Sequence, residues 1–277
     1  MKQECIRTRI TIITALLLAC GAVAGRADDK AVSVAGHMEE DGIHVVARLT
    51  GALDVTMTVG LDLENLAPSV PLPVTVDSDG KTELPLVTLR IVDRAKPYKY
   101  GYRLEWKAGG RQKAPPKAFA YALPYDDGPH RVRQAFLGRF SHYQGSQDEY
   151  AVDWSMPVGT RVLAARAGTV VASRADVSAG GPRPEYKRDY NYVVLRHDDG
   201  TYAEYVHLDE DGVKVKFGDK VAQGDLVGLS GETGYTSEPH LHFAVFNTLS
   251  GRERRTIPIE FAVRSGKHVT LREGASY

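Results

Sequence analysis

The chain is 277 residues long, with 35 basic and 35 acidic residues and a formal net charge of zero. No basic block stands out, which argues against nucleic acid as a partner. Cys5 and Cys20 are the only cysteines, so everything after residue 20 lacks both disulfides and thiolate metal sites; a chain of this length buries an adequate core without them.

Residues 1–27 read as an export signal. Lys2, Arg7 and Arg9 make a basic start, residues 10–19 are apolar apart from threonines, and small residues from Ala22 to Ala27 offer cleavage sites. The apolar run is short for a bilayer span. Leu17-Leu18-Ala19-Cys20-Gly21 also resembles a bacterial lipobox; in that case Cys20 would be acylated and the protein held by a lipid anchor in the outer membrane. Either route leads to the periplasm or cell envelope.

Residues 28–134 read as an N-terminal β domain. Stretches 43–49, 55–59, 84–92 and 98–106 are rich in β-branched and aromatic residues and are punctuated by Gly51 and Lys96-Pro97. Trp106 to Arg111, with Gly109-Gly110, reads as a hairpin tip. A small antiparallel sandwich is expected. Tyr98, Tyr100 and Tyr102 share one strand face, which either packs a core or lines a binding surface. Pro115-Pro116 and Pro124 to Pro129 mark the crossing into a second domain, 135–263, followed by a polar tail, 264–277.

The second domain is also strand-rich, with candidates at 161–166, 168–173, 192–197 and 201–207, then 213–221 and 224–228. The polar stretch 175–190 is expected to form a loop that shapes substrate access. Gly224-Asp225-Leu226-Val227-Gly228 is similar to the turns of biotinyl and lipoyl carrier domains, but no Met-Lys-Met modification site accompanies it. The glycine-rich turns also lack the Gly-Lys-Ser/Thr end of a phosphate loop.

The chemistry concentrates in Pro239-His240-Leu241-His242-Phe243. On a strand, residues two apart share a face, so His240 and His242 present two imidazoles together while Leu241 turns into the core. Imidazole is both a common zinc ligand and the usual acid/base group near neutral pH. Three segments accompany it: Tyr205-Val206-His207-Leu208, Tyr150 to Trp154 before Met156-Pro157-Val158-Gly159-Thr160, and Gly231-Glu232-Thr233-Gly234. His37, His44, His130, His197 and His268 lie among polar or turn residues and receive no role.

Taken in chain order, from Phe140 to Phe246, these segments resemble the lysostaphin/LytM-type zinc metallopeptidases, peptidoglycan endopeptidases with the duplicated hybrid motif fold. The resemblance implies an antiparallel β-sheet groove, here behind a small β-sandwich-like domain, with Zn2+ on its floor. Residue by residue, it implies Asp153 and His242 as zinc ligands and His207 and His240 as catalytic histidines outside the ligand set. The usual His-x-x-x-Asp is broken, because position 149 is Glu149. Glu149 is a chemically allowed oxygen ligand. His142, eleven residues before Asp153, is the preferred third ligand, since it keeps two nitrogens and one carboxylate on the metal. If neither binds, the site is degenerate.

Three protein ligands leave a fourth position for water, and zinc lowers the pKa of that water from ~15.7 to about 7. With no His-Glu-x-x-His in the chain, a histidine base is expected. The expected activity is hydrolysis of peptide cross-links, with peptidoglycan stem peptides as substrate. The rival is a degenerate LytM-domain regulator whose partner would be a cell-wall amidase.

Overall fold

A computed structural model describes residues 32–50, 54–111 and 118–277. The export signal, Cys20 and Gly51 lie outside the described residues. Among the described residues almost all regular structure is β, with one 3-10 turn, Pro184–Arg188.

The first unit is a two-sheet sandwich. One sheet runs Val32–Glu39, Gly42–Leu49, Glu83–Ile91, Leu66–Pro68; the other runs Val74–Asp77, Val55–Glu64, Lys99–Ala108. Val45, Ala47, Met57, Val59 and Leu89 meet between them. Tyr100 and Tyr102 pack against this core with Leu104 and Trp106, as alternation requires, while Tyr98 is exposed. Gly36 faces Tyr100, and a methyl group there would come within 2.2 Å of its hydroxyl. The expected hairpin at 106–111 does not form. The strand continues to Ala108, and Arg111 then bridges to Thr248 in the second unit.

The second unit is organised by an eight-stranded sheet. Its order is Lys220–Val221, Gly168–Arg174, Asn191–Arg196, Tyr202–Leu208, His240–Thr248, Val152–Ser155, Val132–Gln134, with Arg254–Thr256 paired to the far end of His240–Thr248. One face carries the core: Val152, Trp154, Ala203, Tyr205, Leu241, Phe243 and Val245. Tyr121, Tyr125 and Val132, from before the expected boundary at 134, also join it, as does Leu271 from the expected tail. Stretch 213–219 is irregular; only Lys220–Val221 is strand there. The expected loop 175–190 contains a short strand, Gly180–Gly181, paired with Gly234–Tyr235.

The first unit seats on the opposite face of this sheet. Tyr202 donates to Asp54 Oδ2 at 2.9 Å and accepts from the Gly110 amide at 2.7 Å. Thr248 donates to the Ala108 carbonyl at 2.9 Å. Gly251 fits only as glycine, because a Cβ would lie 2.0 Å from the Glu105 carbonyl oxygen. That sheet face therefore carries the domain contact at the Tyr202–Phe246 pair and, four rungs on, the Val206–His242 pair.

His197 is buried at the turn after Asn191–Arg196, with Nδ1 2.8 Å from the Ala167 carbonyl. Burial lowers its pKa from 6.5 to about 4, so the folded chain keeps the ring neutral where the unfolded chain is already protonated. Stability linked to this group is present above the unfolded pKa and is lost as pH falls from 6.5 toward 4. Between about pH 7.5 and about pH 5 the loss is ~2 kcal/mol. Urea midpoints of the wild type should show this drop and those of His197→Gln should lack it; equal slopes would refute it.

Candidate metal centre

Antiparallel pairing places Asp153 directly opposite His242 and Ser155 opposite His240. Directly opposed residues share a face with Cβ atoms about 5 Å apart. Trp154 and Leu241 point the other way and anchor both strands in the core. His242 Nδ1 lies 2.9 Å from Asp153 Oδ1. His142 enters from the 135–151 loop, fully buried, with Nε2 3.4 Å from the same oxygen and its ring 5.3 Å from that of His242. One ligand atom from each of His142, Asp153 and His242 lies within 4.8 Å of the others.

Gln134 sets this triad. Its Nε2 donates to Asp153 Oδ2 at 2.8 Å and to Ser141 Oγ at 3.0 Å, and its Oε1 accepts from the Ser141 amide at 3.1 Å. The side chain thus clamps the residue before His142 and the carboxylate at once.

Glu149 is elsewhere. Its carboxylate accepts from the Gly145 amide at 2.9 Å and its carbonyl from Leu137 at 2.8 Å, so it closes the loop that delivers His142. Glu238 pairs with Arg133 at the rim, so the chain itself neutralises that carboxylate. A second acid/histidine cluster, Glu39, Asp41 and His44, sits on the surface of the first unit, at the turn between Val32–Glu39 and Gly42–Leu49.

His207 reaches the site through an exception to strand geometry. Alternation sends Tyr205 into the core and Val206 to the groove, so His207 should face the core again. Instead its φ is +64°, a left-handed conformation uncommon for a non-glycine residue. The ring lies 4.5 Å from that of His240 and 6.2 Å from that of His242. Its Nδ1 is 2.6 Å from the Thr233 carbonyl, and His240 Nδ1 is 2.8 Å from the Glu238 carbonyl. A carbonyl only accepts, so both rings carry the proton on Nδ1 and keep a lone pair on Nε2.

Burial lowers His207 to about 3, helped by the neighbouring histidines, and burial also lowers His240 and His142. All three imidazoles are neutral near pH 7. Burial by itself would raise Asp153, but the hydrogen bond and charge of His242 hold it well below the usual carboxylate range. Burial would likewise lower His242, yet hydrogen bonds with Asp153 and Glu204 outweigh it and raise the ring to about 10. The carboxylates thus demand a positive charge at this spot, which a proton or a metal ion can supply.

The donors fit zinc. Neither ring nitrogen of buried His142 has a hydrogen-bond partner, although unpaired buried polar atoms are rare and costly. Two imidazoles and one carboxylate form an established three-ligand zinc set. Gln134 supplies the supporting contact to the carboxylate.

Residues 147–254 match the model of Peptidase family M23. The peptidoglycan DD-endopeptidase ShyA of Vibrio cholerae is 40% identical over 91 residues, which are 33% of this chain and 18% of ShyA. Lysostaphin of Staphylococcus simulans is 39% identical over 95 residues, 34% of this chain and 17% of lysostaphin. An uncharacterised metalloprotease of Buchnera aphidicola is 36% identical over 95 residues, 34% of this chain and 22% of that protein. The matches thus span only 17–22% of these relatives' lengths. The sheet groove and its acid/histidine site define an M23-type peptidase domain of almost entirely β structure. This chain carries such a domain, homologous to that of lysostaphin and ShyA. Peptidases of this family are metallopeptidases. His142 lies before the matched segment, whereas Asp153, His207, His240 and His242 lie inside it.

Proposed function

We propose that this chain is an exported zinc metalloendopeptidase that hydrolyses the peptide cross-links of bacterial peptidoglycan. The observation that carries the reading is the buried cluster of His142, Asp153 and His242 beside two neutral histidines of fixed tautomer. Zn2+ held by those three residues supplies Lewis acidity toward the scissile carbonyl and activates the attacking water. One of His207 and His240 accepts the water's single proton at Nε2 and later passes that proton to the leaving amine. While it holds the proton, its Nε2–H donates to the developing oxyanion. Asp153 balances the local charge, and Gln134 keeps it aimed.

Stem peptides as substrate are supported by the resemblance to ShyA, whose name is that of a peptidoglycan DD-endopeptidase. Export is supported by the basic and apolar pattern of residues 1–27, with Cys20 as the point of attachment if the lipobox is used. The regulator reading, with an amidase partner, rests on the missing histidine at position 149. The buried His142, which makes no hydrogen bond, weakens it, because the third ligand and second nitrogen donor is supplied from a different loop position.

The test is digestion of purified peptidoglycan by the full chain, followed by mass spectrometry of the muropeptides. Cross-linked dimers should give way to monomers, a chelator should stop this, and added zinc should restore it. Intact dimers from zinc-loaded protein that stimulates an amidase would overturn the peptidase in favour of the regulator.

A further inference from the structure

Glu204 is an unexpected residue on the floor of a groove. It lies on Tyr202–Leu208 with its side chain 8% exposed, opposite Ala244 and on the same face as Val206 and His242. Glu204 Oε1 lies 3.5 Å from His242 Nε2, within ion-pair range, and has no hydrogen-bond partner. Its other oxygen takes Nη1 of Arg254, whose Nη2 bonds Asp148 Oδ1 at 2.6 Å. Arg254 is itself stacked over Phe246, with 5.0 Å from its guanidinium carbon to the ring centre.

Atoms of Asp148, Glu204 and His242 also approach one another within 4.8 Å, in the manner of a second cation site. The Arg254 guanidinium already takes the cation's place there, bonded to both carboxylates. What remains is a chain of contacts from His242 through Glu204 and Arg254 to Asp148. Asp148 stands in the same loop as His142. The chain therefore ties the strand bearing one nitrogen donor to the loop bearing the other.

We propose that Glu204, held by Arg254 and Asp148, is a positioning residue that takes the Nε2–H of His242 and so presents Nδ1 to the metal. This rests on the zinc-peptidase reading above. The geometry supports it from both ends of the ring, since Nδ1 faces Asp153 Oδ1 at 2.9 Å while Nε2 faces Glu204. A carboxylate on the far nitrogen of a ligating histidine fixes both ring orientation and tautomer.

The test compares two double variants of the full chain, both lacking the buried ion pair. Glu204→Gln with Arg254→Met keeps an acceptor on His242; Glu204→Leu with Arg254→Met removes it. Zinc affinity is read by competition with a chromophoric chelator, and the His242 Nε2–H by two-bond proton–nitrogen correlation in the zinc-loaded protein. The glutamine pair should bind zinc close to wild type and keep that proton. The leucine pair should bind about 10–100-fold more weakly and lose the resolved proton signal. Equal affinity in the two pairs, whether both tight or both weak, would overturn the proposal and leave the ion pair as scaffold. If the double variants do not fold, Glu204→Asp serves, since it keeps the charge beside Arg254 but withdraws the oxygen from His242. It should lose zinc affinity at unchanged melting temperature, and retained affinity would overturn the proposal. No zinc binding by the wild type would instead remove the peptidase reading itself.

Discussion

His142→Ala is expected to empty the metal centre and abolish peptide hydrolysis, whereas Glu149→Ala is expected to leave both intact. His142 is one of three donors around a single point, and its nitrogens have no other partner to lose. With Asp153 and His242 alone, two ligands remain where zinc sites take three or four. The loss should exceed the roughly 10–100-fold that follows removal of a merely supporting contact. Glu149 spends its carboxylate on the Gly145 amide at 2.9 Å. Its removal should cost about 1 kcal/mol of stability, the usual worth of such a bond. Elemental mass spectrometry of the dialysed proteins decides the matter. Zinc retained by His142→Ala and lost by Glu149→Ala would reverse the assignment.

Loss of either groove histidine should have the opposite signature, with zinc retained and turnover lost. His240→Ala and His207→Asn are each expected to lower kcat by about 10²–10⁴-fold, the usual contribution of a positioned acid or base. Asparagine suits position 207 because it tolerates the left-handed backbone better than alanine. It therefore separates loss of the imidazole from loss of the turn that aims it. The two effects should not add in the double variant, because both rings serve one proton path and lie 4.5 Å apart. Metal content falling with either substitution would move that histidine into the ligand set. Unchanged kcat would remove it from the reaction.

Much of the second unit was legible locally. The stretches 168–173, 192–197 and 201–207 correspond to Gly168–Arg174, Asn191–Arg196 and Tyr202–Leu208. Alternation within each strand decides which residues face the core, and it operates over a few residues. Misreadings occurred where local chemistry competed with a distant partner. Gly109-Gly110 has the composition of a hairpin tip, but Tyr202 captures the Gly110 amide from the other unit. Stretch 213–221 has strand composition, yet only its last two residues pair as a strand, with Gly168–Arg174.

The same division runs through the site. The sequence by itself determined the donor types, the shared face of His240 and His242, and the ambiguity between His142 and Glu149. These depend on side-chain chemistry and on the two-residue repeat of a strand. Tertiary structure decided that Asp153 stands opposite His242, 89 residues away, and that the loop folds His142 inward while Glu149 caps its own turn. It also decided the backbone reversal at His207 and brought Gln134, Glu204 and Arg254 around the cluster. Nothing in the spacing of these residues marks them. Strand register, loop closure and the partner available to each buried polar atom are fixed only when the whole sheet is assembled.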